Sequence, residues 1–229
     1  MSTLSNVISF ARTQAQTDSN GLTDTKALVF ANEALYDFRR RLVNKNIDPS
    51  GIQEAYRDAT VGTGTYLYPA DMFFLKAIEL NYTNTNPQDY VKAEQVDVSN
   101  LAGGNSFSWL RQNASPQTPQ FDDRGDWYEI FPTPTSSNNV SQMIRLFYYT
   151  TPTEFTATSD TISYPETLDY RILGWRIASS YYYSLGKMDE GDRFNNKYEE
   201  RVEQLTATLG RGTQQPIQAT TIPLTGFEF

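Results

Sequence analysis

The chain has 229 residues, of which 27 are acidic and 19 basic, for a net charge of −8. That charge argues against gripping nucleic acid with a basic face, though not against DNA merely passing by. It has no cysteine and no histidine, which excludes disulfides and thiolate metal sites and removes the commonest general base and metal ligand.

No apolar run approaches the roughly 20 residues of a membrane span. The first residues lack a basic region followed by an apolar core, so no signal peptide is expected. The redox compartment cannot be read from a chain without cysteine. At 38% apolar and 14% aromatic, the sequence can bury a core. Its 15 tyrosines suit half-buried, wet-edged surfaces such as interfaces.

In chain order, Leu4, Val7, Ile8 and Ala11 predict a first helix over residues 4–15, with Ser2 or Thr3 as cap. Asn20-Gly21 marks a turn. Thr23 or Asp24 caps a second helix over 24–43, in which Leu28, Ala31, Leu35, Phe38 and Leu42 repeat at helical spacing. Arg39-Arg40-Arg41 sits in its last turn. Cations there complement the helix dipole, and that reading outweighs contact with DNA or an acidic partner.

Asp48-Pro49 reads as a cap and first-turn proline for a short helix through Tyr56. Gly62-Thr63-Gly64 lacks the third glycine and the preceding strand of a dinucleotide fingerprint. Residues 66–82 are expected to supply a strand. Residues 83–126 are rich in Asn, Thr, Pro, Gly and Gln and read as the least ordered part. Within them, Val91, Val96 and Val98 fit an edge strand or a short helix. Phe107, Trp109 and Leu110 form an apolar knot with two open readings, a contact for a tail or neighbouring protein or a cap on the core. Asp122-Asp123-Arg124-Gly125-Asp126 resembles half a calcium loop, but Arg124 stands where a carboxylate is needed, so a plain turn is expected. The Asn-x-Ser/Thr triplets at Asn81, Asn113 and Asn139 matter only in a secreted glycoprotein.

Trp127 to Phe131 reads as a strand stopped by Pro132-Thr133-Pro134, with a polar turn leading to a hairpin partner over 142–150. Leu168, Ile172, Trp175, Ser179 and Tyr182, with a second stripe of Leu173, Ile177, Tyr181 and Leu185, predict a largely covered helix over 165–185. Gly186 is its expected stop. Phe194, Tyr198, Val202, Leu205 and Leu209 predict a last helix over 190–209 that ends at Gly210. The remainder, 211–229, lacks helical period but carries Ile217, Ile222, Leu224, Phe227 and Phe229 between Pro216, Pro223 and Gly226. Its two readings are a strap laid along a neighbour and a floppy terminus, with its apolar content favouring the strap.

The fold expected is therefore α+β: a mainly helical body, a helix bundle, with a small antiparallel sheet inserted over 61–163 and an extended C-terminal tail over 211–229. The domain proper is 1–210. No catalytic constellation is visible. The carboxylate pairs Asp122/Asp123, Asp189/Glu190 and Glu199/Glu200 lie adjacent on turns or a helix face, not across a cleft. There is no nucleophile elbow and no P-loop. No enzyme activity, cofactor or metal is expected.

The order of features resembles the head-to-tail adaptor (connector) proteins of tailed bacteriophages. The features are a strand ending in Pro132-Thr133-Pro134, the Tyr148-Tyr149 strand ending at Thr151-Pro152, Thr158-Ser159-Asp160, a Tyr164-Pro165 helix start, and a helix pair bridged by Gly186 to Asp192. Upstream, Tyr66 to Asp71 looks like the segment that opens the first strand in those proteins, with Tyr68 where leucine is commoner. The likeness covers roughly residues 22–209, and its specificity lies in the order of the motifs. It implies a structural virion protein at the neck, made in the host bacterial cytoplasm. It implies a homomeric ring of about twelve copies beneath the portal protein, a form of closed cyclic symmetry. Such a ring extends a channel through which double-stranded DNA passes without sequence-specific binding, and offers a surface to a tail, stopper or tail-completion protein. On this likeness the portal-binding residues are Ile217, Ile222, Leu224, Phe227 and Phe229 of the tail. The competing reading is a soluble ligand- or carbohydrate-binding module that uses aromatic faces as stacking platforms.

Overall fold

The computed structural model of the chain describes residues 2–45, 47, 52–83, 89–96, 114–138, 140–163 and 166–213. The chain divides into two units, Met1–Pro49 with Glu154–Phe229, and Ser50–Thr153 between them.

The first unit is helical. Helix α1 (Leu4–Gln14) buries the expected Leu4, Val7, Ile8 and Ala11. Helix α2 (Asp24–Asn44) begins at Thr23, whose hydroxyl accepts the Lys26 backbone N–H at 3.4 Å. Three alanines, 27, 31 and 34, line its buried face beside Leu35, Phe38 and Leu42, and let neighbouring helices approach closely. A one-turn 3-10 helix (Glu166–Leu168) leads into α3 (Arg171–Ser184), so the expected helix starts later than residue 165. Leu168 and Leu185, placed in or beside its apolar stripes by spacing, are 56% and 50% exposed. Gly186 ends the helix as expected, with φ +71 in the left-handed region. Helix α4 (Met188–Thr213) runs through Gly210, which therefore does not terminate it. Phe194, Tyr198 and Val202 on α4 join Ile172, Leu173, Ile177 and Tyr181 on α3 in one core with α1 and α2. Each such side chain contributes about 1.5–3 kcal/mol on burial.

The second unit overturns the expectation of a helix bundle carrying a small sheet. Among the described residues it holds two four-stranded sheets. The first has β1 (Gln53–Arg57), β8 (Ile144–Thr150), β3 (Met72–Leu80) and β4 (Val91–Lys92) in that order, all antiparallel. The second has β2 (Thr65–Leu67), β7 (Trp127–Phe131), β6 (Gln120–Asp123) and β5 (Glu94–Gln95), where β5 and β6 run parallel. Ile78, Leu80, Ile144, Leu146 and Tyr148 of the first sheet share one core with Tyr66, Phe121, Tyr128 and Ile130 of the second. This is the two-layer solution available to sheets with one apolar face.

Three local expectations fail for one reason: non-local pairing decides strand partners. The predicted hairpin does not form, because β7 is flanked by β2 and β6 while β8 lies between β1 and β3. The apparent single strand over 66–82 breaks at the Pro69 turn, where the Met72 N–H donates to the Pro69 carbonyl at 3.0 Å, and its halves enter different sheets. The segment through Tyr56 is strand, not helix, because all of Gln53–Arg57 pairs with β8. The two open readings near Val91 resolve into the short strands β4 and β5, and Val98 lies outside the described residues. The acidic segment is a turn, as expected: the Asp123 carboxylate accepts the Gly125 N–H at 2.9 Å, and Gly125 has φ +86.

Candidate functional site

The helical unit is closed by a charged seam. Asp37 on α2 accepts from the Tyr198 hydroxyl at 2.9 Å and from Arg41 Nε at 3.1 Å, with Arg40 at 3.1 Å on its other oxygen. Burial pushes the Asp37 carboxyl up. The Tyr198 hydrogen bond and the charges of Arg41 and Arg176 outweigh it and hold the group below its ordinary value. Burial beside that carboxylate pushes the Tyr198 phenol far up, so it stays a donor. Arg41 also forks onto Glu199 of α4, at 2.7 Å through Nη2. An open cleft of about 360 Å³ lies beside this fork, lined by Arg41, Lys45, Glu199, Val202 and Glu203 among others.

The arginine triplet is not one solvated group: Arg39 is 7% exposed and bound to Glu166, so neither dipole pairing nor contact with DNA describes that residue, whereas the Arg40 side chain is 66% exposed and Arg41 lies in the last turn, as expected.

A second feature of this unit is a ring ladder. Tyr182 and Phe194 stack with centroids 5.4 Å apart, and Phe194 and Trp175 stack at 5.8 Å. Lys197 Nζ sits 4.3 Å from the Trp175 centroid, and the Arg193 guanidinium sits 5.3 Å from that of Phe194.

In the strand unit, the outer face of the first sheet gathers aromatic side chains around an arginine. Register puts Tyr56 and Glu79 opposite Arg145, and Ala77 opposite Phe147, away from the shared core. The Arg145 guanidinium lies 4.3 Å from the Tyr90 centroid and 5.1 Å from that of Phe147. It is paired to Glu79 and, at 3.5 Å, to Glu54. Tyr56 packs edge-on to Tyr90 and is 49% exposed, and Phe74 on the neighbouring strand is 42% exposed. The cluster sets one arginine against two carboxylates and is aromatic and partly open, features found at protein-binding surfaces. Alternation on β8 could have predicted Arg145 and Phe147 facing one way. Its partners could not be predicted without the register.

Among the described residues the carboxylate pairs do not converge. Asp122 is buried beside Arg124 at 2.5 Å, Glu199 is held by Arg41, and Glu200 accepts from Gln204 at 3.0 Å. No group of three or more potential metal ligands is found among those residues. Phe107, Trp109 and Leu110, and the tail residues Ile217, Ile222, Leu224, Phe227 and Phe229, lie outside the described residues.

No curated protein matches the chain. The family model of the SU10 adaptor protein matches residues 2–220, nearly the whole length. The chain belongs to that family, one of phage head-to-tail adaptors.

Proposed function

We propose that this SU10 adaptor forms a ring with copies of itself beneath the portal of a tailed phage, extends the DNA channel, and docks the tail or stopper protein. The observation that carries this reading is the family match across residues 2–220. Membership makes the chain a structural virion protein of the neck, in a family that associates with portal and tail proteins. The proposed ring, of about twelve copies, is a closed cyclic arrangement. The helical unit forms the ring body. The strand unit and its loops, with Phe107, Trp109 and Leu110, face a neighbour or the tail. The aromatic face around Arg145 supports a docking role for that unit, since Tyr and Arg dominate binding hot spots. The protein is made in the host cytoplasm and catalyses no reaction.

The expected tail began at residue 211, but helix α4 takes in residues 211–213, so the strap proposed here is 214–229, which reaches the portal through Ile217, Ile222, Leu224, Phe227 and Phe229. Three or four such side chains, at about 1.5–3 kcal/mol each, suffice to anchor an extended segment after the cost of ordering it.

Mixing purified chain with portal-bearing heads that lack it, then sedimenting, tests this reading. The full chain should co-sediment. A chain truncated after Thr213 should keep its helical circular dichroism but stay in the supernatant. A full chain that never co-sediments contradicts the adaptor role, and a truncated chain that does co-sediment contradicts the strap.

A further inference from the structure

Among the described residues the edges of the two sheets are β1, β4, β2 and β5, and only β1 is unprotected. β4 and β5 are two residues long. β2 has three residues, and the Arg57 guanidinium donates to its Leu67 carbonyl. β1 has five residues, no proline and an unbroken register against β8. The Asn81 N–H donates to the Met143 carbonyl at 2.9 Å, and alternation along the ladder turns the main chain of Ile144, Leu146 and Tyr148 towards β1. Their partners Arg57, Ala55 and Gln53 are thereby used, whereas the N–H and carbonyl groups of Glu54 and Tyr56 point away from β8. Among the described residues no hydrogen bond reaches those groups. Ile52 and Tyr56, at this edge, are 42% and 49% exposed. A regular edge with open main-chain groups and exposed apolar side chains is the kind that takes up another strand. Charge does not select the occupant, because Arg145 and Lys92 stand against Glu54 and Glu79 on this face.

We propose that β1 takes up residues 107–111 of a neighbouring copy as an added antiparallel strand. The proposal rests on the adaptor reading above, in which Phe107, Trp109 and Leu110 face a neighbour or the tail, and commits to the neighbour. Phe107-Ser108-Trp109 alternates ring and small polar residue, the period of a strand. With Trp109 opposite Tyr56, an antiparallel register sets Arg111 opposite Glu54, which makes one aromatic pair and one opposite-charge pair. Placement favours a second copy as the donor. Residues 97–113 lie between Val96 and Ala114, which both pack against Phe131, so the chain departs and returns at one place. That segment follows β5, at the far edge of the second sheet from β2, and β2 is the strand that Arg57 of β1 touches. Donor segment and acceptor edge therefore belong to opposite sides of the sandwich. A contact between two such unlike surfaces is heterologous, and its repetition closes a ring. At about 3.3 Å per residue, out and back, the segment spans at most on the order of 28 Å, enough to cross to an adjacent copy.

The test is disulfide trapping on portal-bearing heads, in a chain that has no cysteine of its own. In the register above Leu110 falls opposite Ala55. Full-length Ala55→Cys and Leu110→Cys chains, mixed on heads and oxidised, should give dimers containing one of each, and neither variant alone should give them. A chain carrying both substitutions should give a ladder of multimers. Adding Glu54→Pro to that chain should abolish the ladder while circular dichroism stays that of the parent, because the Glu54 N–H points away from β8. The proposal is overturned if chains that co-sediment with heads do not crosslink, or if the ladder survives Glu54→Pro. An intrachain disulfide in the double variant also overturns it, since the segment then lies on its own β1. So does maleimide labelling of Ala55→Cys that is blocked only when the tail protein is added, since the tail is then the occupant. Failure of the adaptor reading is separate: the unmodified chain then does not co-sediment at all.

Discussion

Arg39 on α2 holds Glu166 through two hydrogen bonds, 2.6 Å to Oε1 and 3.1 Å to Oε2, with the two side chains only 8% and 0% exposed. The pair ties the segment before α3 to the second helix, 127 residues away in sequence. Ser163 Oγ accepts a further hydrogen bond from Arg39 at 3.0 Å. Replacing Glu166 with Gln leaves a buried guanidinium without its counter-charge and should cost about 3–5 kcal/mol. Replacing both residues, Arg39→Met with Glu166→Leu, should cost much less. Denaturant midpoints of the single and double variants measure the difference.

The Asp37 seam gives a pH signature. The folded carboxyl titrates below the ordinary value of 3.8, so its contribution is full above that value and is lost as pH falls through the lower, folded one. Thermal midpoints of the parent should therefore drop below about pH 4, and Asp37→Asn should flatten that part of the profile while lowering stability at neutral pH. Tyr198→Phe, which removes the 2.9 Å donor to Asp37, should cost about 1.5–3 kcal/mol at neutral pH.

Gly174 lies where α3 meets α1. A Cβ there would stand 2.5 Å from Phe10 Cδ1, and Phe10 is itself packed edge-on against Trp175 at 4.9 Å. Gly174→Ala should destabilise the helical unit by about 1–3 kcal/mol, despite the better helix propensity of alanine. Adding Phe10→Leu should recover part of the loss, read from the thermal midpoint.

The helices were legible because their cause is local. Leu4, Val7, Ile8 and Ala11, or Phe194, Tyr198 and Val202, repeat at intervals that only a helix turns to one side. The strands were less so. β6 reads as Gln-Phe-Asp-Asp within a polar stretch, and Asp122 can be buried there because Arg124 two residues on neutralises it. The apparent strand over 66–82 hides its division, since both halves have strand composition and only their partners differ. The candidate surfaces depend on the same missing knowledge. Arg145 has Glu79 and Tyr90 as neighbours through strand register, and Arg39 finds Glu166 through tertiary packing.

The neck reading has one direct measurement: electron cryo-microscopy of virions, with the ring between portal and tail resolved. The account predicts density for α1 to α4 and the two four-stranded sheets, repeated around the channel axis, with residues from 214 onward tracing onto the portal. Density for this chain on the capsid surface or at the distal tail, or its absence from the neck, would contradict it.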